Sequence, residues 1–106
     1  MNNKKYSKFV IYKIQPIDST DFTYIGSSCN FNRRKAQHKK NTTNRRGKSY
    51  KCTLYQFIRG IGGWDKVTCD IIESYPCTSK KDGLLREKEM MLIHHANLNT
   101  NNPIDL

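Results

Sequence analysis

Acidic side chains are the scarce class in this 106-residue chain. Nine Asp and Glu stand against nineteen Lys and Arg, for a formal net charge of +10, and no acid falls between Asp21 and Asp65. Such an imbalance points to a polyanionic partner: DNA, RNA or an anionic membrane surface. Long apolar runs are missing as well. No stretch approaches the length of a spanning helix and no basic segment carries a broad hydrophobic face, which argues against the membrane. The charged first residues are followed by no hydrophobic stretch, so no signal peptide is expected and an intracellular location is. The four cysteines, Cys29, Cys52, Cys69 and Cys77, include no C-x-x-C pair. Adding His38, His94 and His95 creates no zinc spacing, so these read as small buried or neutral thiols rather than ligands or a disulfide framework. There is no internal repeat and no linker.

What remains is a folding sequence, 36% hydrophobic and 10% aromatic, of a length that fits one domain with one modest core. Residues 8–15 (KFVIYKIQ) are β-branched and aromatic and read as a strand. Pro16, Asp18 and Asp21 mark a connection, and 22–27 resume an extended pattern, giving an antiparallel pair. Asn30 is a plausible cap for a helix over roughly 31–40, with Ser27 and Ser28 as alternatives. The stretch 41–50 has no apolar periodicity and reads as a mobile, basic loop. Leu54, Tyr55, Phe57, Ile58 and Ile61 have helical spacing, closed by Gly60 and the Gly62-Gly63 pair. Residues 67–74 are a third strand, and 79–96 a long helix. The order predicts an α+β domain: a small three-stranded antiparallel β-sheet flanked by helices.

Several residues fit this plan poorly unless they do chemistry. In the last helix Leu85, Leu92 and Ala96 form a stripe that includes Glu89. A carboxylate there is paired, hydrogen-bonded or bound to a metal, or else escapes to water at the stripe's edge. Glu87 reads as pointing away from that stripe, into solvent. In the first helix Phe31, Arg34 and His38 share the sheet-facing side, while Arg33, Lys35, Lys39 and Lys40 have the ordinary explanation of a solvated basic face. Tyr12 and Tyr24 lie on strands that should be neighbours, where core or rim aromatics are the common reading. Gly26 sits at a strand end, where it lets a backbone or a ligand approach closely.

The set Val10-Ile11-Tyr12, Tyr24-Ile25-Gly26, Arg34, His38 and Glu89 resembles the GIY-YIG nuclease family across roughly residues 8–99, with the middle segment 54–65 also similar to compact stand-alone members. Val10 stands where the family name has Gly. The resemblance implies one nuclease domain over residues 1–106, with no separate DNA-recognition domain, that hydrolyses DNA phosphodiester bonds with low intrinsic sequence specificity. It implies catalytic roles for Tyr12, Tyr24, Arg34, His38 and Glu89. Glu89 would hold one divalent cation, Mg²⁺ with Mn²⁺ as a substitute, and Arg34 would contact the phosphate. Tyr12 or His38 would serve as the base; the sequence does not choose between them. Family members often carry an Asn near the domain end, and Asn99 is preferred here over Asn97, Asn101 and Asn102.

Gly26, Asn99 and the basic residues Arg33, Lys35, Lys39, Lys40, Arg45, Arg46, Lys48 and Lys51 are then the expected substrate-binding surface, mostly phosphate contacts. Duplex or branched DNA is the expected partner, with a protein partner to supply specificity. A non-catalytic basic DNA-binding module and an RNA-directed nuclease are the rivals. Copies of this compact kind look like those of viruses and mobile elements.

Overall fold

The computed structural model describes residues 3–99; Asn101 and Asn102, two of the asparagines weighed above, lie outside them. After a short 3-10 turn, the β-branched run Val10–Pro16 forms the central strand β1. It pairs antiparallel with β2, Tyr24–Ser28, on one side and β3, Val67–Ser74, on the other, giving the order β2-β1-β3. The sheet carries three helices: α1 (Phe31–Thr43), α2 (Thr53–Gly60) and α3 (Lys80–Ile93). This is the α+β architecture that the alternation and helical spacing predict. Among the described residues no helix is long and apolar enough to cross a membrane.

Strand alternation divides the core in two. Tyr12 and Ile14 project from one face into a cluster with Leu54, Tyr55, Ile58 and Cys69. Ile11 projects from the other, with Ile25 of β2, against Phe9 and Met90 of α3. The sheet is therefore a middle layer, with α1 and α2 above and α3 below.

Local chemistry sets the helix ends. The Asn30 side chain accepts from the Arg33 N–H and Ser79 accepts from the Asp82 N–H, each satisfying a donor of the first turn. Gly62 and Gly63, at φ of +119° and +111°, turn the chain out of α2 toward β3, a conformation that side chains with a Cβ rarely adopt.

One expectation fails. Residues 41–50 are not an unstructured loop: α1 continues to Thr43, and hydrogen-bonded turns follow, from Gly47 N–H to Asn44 O, Tyr50 N–H to Gly47 O and Cys52 N–H to Ser49 O. Arg59 of α2 holds the segment from beneath. Its guanidinium donates to Thr42 O at 2.9 Å and Tyr50 O at 2.7 Å, and stacks on the Tyr50 ring at 3.6 Å. Apolar periodicity could not reveal an order imposed by one arginine from another helix.

Candidate active site

The register places Tyr12 opposite Gly26 and Ile14 opposite Tyr24, so both tyrosines rise from neighbouring strands on the face beneath α1. Their ring centroids are 6.4 Å apart. Gly26 is needed for this face, and for a reason other than the one its sequence position suggests. A Cβ there would come within 2.5 Å of the Tyr12 ring carbon Cζ and hydroxyl. What lies against the bare Cα is the Tyr12 ring.

α1 brings His38 and Arg34 over the two rings. His38 is fully buried, with Nε2 at 2.6 Å from Tyr12 Oη and Nδ1 at 2.7 Å from Tyr55 Oη. Asn41, one turn along α1, donates from Nδ2 to the same Tyr55 oxygen at 3.3 Å. Burial, reinforced by the charge of Arg34, lowers the His38 pKa to about 3, so the imidazole is neutral at physiological pH. Burial likewise raises Tyr12, and its neighbour Tyr24 adds to this, while the positive charge of Arg34 pulls the other way. Tyr24 is raised by burial, with Arg34 opposing and the Glu87 carboxylate adding to the rise. Arg34 also donates to Gln37. Two phenols, a guanidinium and an uncharged imidazole therefore come together between the sheet and α1.

The carboxylate that reaches this region is Glu87. Its Oε1 accepts a hydrogen bond from Ser27 Oγ on β2, and its charge acts on Tyr24. Glu89, the predicted metal ligand, lies on the outer side of α3. Its side chain is 62% exposed and pairs at 3.0 Å with Arg86, whose guanidinium also grips Glu73 of β3 at 2.7 Å. The stripe chosen from the sequence is the wrong one: Leu85 and Leu92 are 54% and 75% exposed, whereas Gly83 and Met90 are buried. α3 carries apolar residues around most of its circumference, so spacing alone selects no face. The 83–87–90–91 line, with a glycine that lets Phe9 pack closely, is the signal that marks the true one.

Asn99 and Asn97 brace the free edge of β2. Asn99 accepts from the Ile25 N–H at 2.8 Å and donates to Ile25 O at 2.6 Å. Asn97 accepts from the Thr23 N–H at 2.9 Å and donates to Asp21 O at 2.8 Å. With Leu98 N–H bonded to Thr23 O between them, these residues close an edge that would otherwise be open. Both polar atoms of the Asn99 amide are engaged by β2, so the residue fixes the strand carrying Tyr24 and Gly26.

The basic residues do not all share one surface. Arg33, Lys39, Lys40, Arg45, Arg46, Lys48 and Lys51 are exposed. Lys35 is half-buried, with its ammonium 5.8 Å over the Phe31 ring and its charge acting on Cys69 of β3. Tyr55, by contrast, reads from the sequence only as a core aromatic of α2. Its hydroxyl is the feature that spacing cannot show.

A hard cation fits the donor set here only in a limited form. Among the described residues no three His, Cys, Asp or Glu side chains converge, while Glu87 offers a single half-buried carboxylate steadied by Ser27. That matches a cation that keeps most of its waters and is completed by phosphate oxygens.

The family model of the GIY-YIG catalytic domain matches residues 8–102. No curated protein and no solved structure matched the chain.

Proposed function

This chain belongs to the GIY-YIG family, which makes it a nuclease-type enzyme, and we propose that it is a divalent-metal-dependent DNA endonuclease working through Tyr12, Tyr24, Arg34, His38 and Glu87. The observation that carries this reading is the convergence of Tyr12 and Tyr24, on adjacent strands, with Arg34 and a neutral His38 from one helix, beside the Glu87 carboxylate.

Hydrolysis requires a positioned water, a proton acceptor and neutralisation of phosphate charge. Arg34 supplies the last: its residue is half-exposed and carries a fixed fork of N–H donors. Tyr12, buried with its hydroxyl held at His38, is the group assigned to the water. His38 makes a poor proton acceptor because burial beside Arg34 destabilises its cation, so its part is to hold the Tyr12 hydroxyl. Tyr24 lies where it can steady the water or a phosphate oxygen. Once the Tyr12 phenol has released its own hydrogen to solvent, the phenolate takes a proton from the attacking water as the O–P bond forms and the P–O3′ bond breaks, and the departing 3′ oxygen takes a proton from solvent. Glu87 would hold the cation, Mg²⁺ with Mn²⁺ as a substitute, which when bound would polarise the phosphate and stabilise the leaving 3′ oxygen.

The exposed residues Arg33, Lys39, Lys40, Arg45, Arg46, Lys48 and Lys51 would follow the phosphate backbone, contacts that carry no sequence information, so sequence specificity is low or comes from a protein partner. The whole chain acts as one nuclease domain. Nicking of supercoiled plasmid with Mg²⁺, abolished by EDTA, tests this proposal. Retardation of the plasmid without cleavage of it, or of branched DNA, supports a binding module instead. Preferential cleavage of RNA in a mixed digest supports an RNA-directed enzyme.

A further inference from the structure

Three hydrogen-bonded groups run on from Tyr12: His38, then Tyr55, then Asn41, with separations of 2.6, 2.7 and 3.3 Å. The direction of this chain follows from counting hydrogens. The amide nitrogen of Asn41 can only donate, so it occupies an acceptor site on the Tyr55 oxygen. Tyr55 is buried, and its own hydroxyl hydrogen needs an acceptor; the partner within reach is His38 Nδ1. A neutral imidazole that accepts at Nδ1 carries its hydrogen at Nε2, and Nε2 faces Tyr12.

We propose that Tyr55, oriented by Asn41, fixes His38 in the Nε2–H tautomer, so that His38 donates to the Tyr12 oxygen rather than accepting its proton. The positive charge of Arg34 acts on the same oxygen. Tyr12 thereby accepts from the His38 Nε2–H, and a phenolate formed there is met by that N–H group. Tyr55 and Asn41 act through His38 and are positioning residues. The groups that face His38 are Tyr12 from β1, Tyr24 from β2, Tyr55 from α2, and Arg34 and Asn41 from its own helix. None is a carboxylate, so nothing offsets the cost of charging the ring. The consequence for catalysis rests on the nuclease reading; the tautomer does not.

The test is a long-range ¹H–¹⁵N spectrum of the full chain labelled at histidine, without DNA or metal, with His38 assigned by its loss in His38→Gln. The expected result is a protonated Nε2 and an unprotonated Nδ1, unchanged between pH 5 and 8. In Tyr55→Phe the donor to Nδ1 is gone. The ring should then shift toward the Nδ1–H form, and nicking at saturating DNA should fall on the order of tenfold or more, with DNA retention preserved. Asn41→Ala, at a half-exposed position that the fold tolerates, should give a mixture of tautomers and serves if Tyr55→Phe does not fold. An Nδ1–H ring in the unmodified protein overturns the proposal, as does a tautomer that neither variant changes. If the unmodified protein shows the Nε2–H ring but cuts no DNA, the nuclease reading fails and the tautomer stands.

Discussion

The ring of Tyr12 lies across the bare Cα of Gly26: an added Cβ would stand 2.5 Å from both Cζ and the hydroxyl of Tyr12. The glycine of one strand and the tyrosine of the next form a single device, since the hydroxyl is held at His38 only because the ring can cross Gly26. Gly26→Ala should therefore displace Tyr12 from a site where it is 1% exposed. The expected cost is about 1–3 kcal/mol, read by urea unfolding, together with loss of nicking. An alanine variant of unchanged stability and activity would show that the ring has room to move.

Asn99 should behave as a brace. Asn99→Ala leaves the Ile25 N–H and C=O without their partners and should destabilise by about 1–3 kcal/mol. Asn99→Asp keeps the acceptor and loses the donor, so it should fall between the two in thermal or urea unfolding. A variant of full stability with weakened DNA retention would return Asn99 to the substrate surface.

Buried His38 makes stability depend on pH. Its folded pKa is about 3, against about 6.5 in an unfolded chain, so between these values the unfolded state binds the extra proton. Stability is then full above about pH 6.5 and falls as pH drops toward 3, by up to about 1.4 kcal/mol per pH unit from this one group. Urea unfolding at pH 4, 5, 6 and 7 measures the slope. His38→Gln, which has no such proton to take, should flatten it.

These consequences were unevenly legible in the sequence. Val10 to Ile14 and Tyr24 to Gly26 alternate cleanly, so the strands, their pairing and the shared face of Tyr12 and Tyr24 could be read from it, as could Arg34 and His38 beside them on one helix. α3 could not, because Leu84, Leu85, Leu92 and Ile93 are all exposed apolar residues. A helix apolar on several sides gives no direction, and Glu87 and Glu89 point to opposite sides of it. The roles of Tyr55 and of the asparagine brace depend on contacts between residues far apart in the chain, such as Ile25 with Asn99, and no local pattern records them.

The central claim is that Glu87, not Glu89, supplies the carboxylate of the site, and nicking of supercoiled plasmid in Mg²⁺ by Glu87→Gln and Glu89→Gln tests it most directly. Glu87→Gln should lose on the order of a hundredfold or more in rate while still retarding the plasmid. Glu89→Gln removes only an exposed partner of Arg86 and should cut within a factor of about two of the unmodified protein. The reverse pattern, with Glu89→Gln inactive and Glu87→Gln unimpaired, would contradict the account.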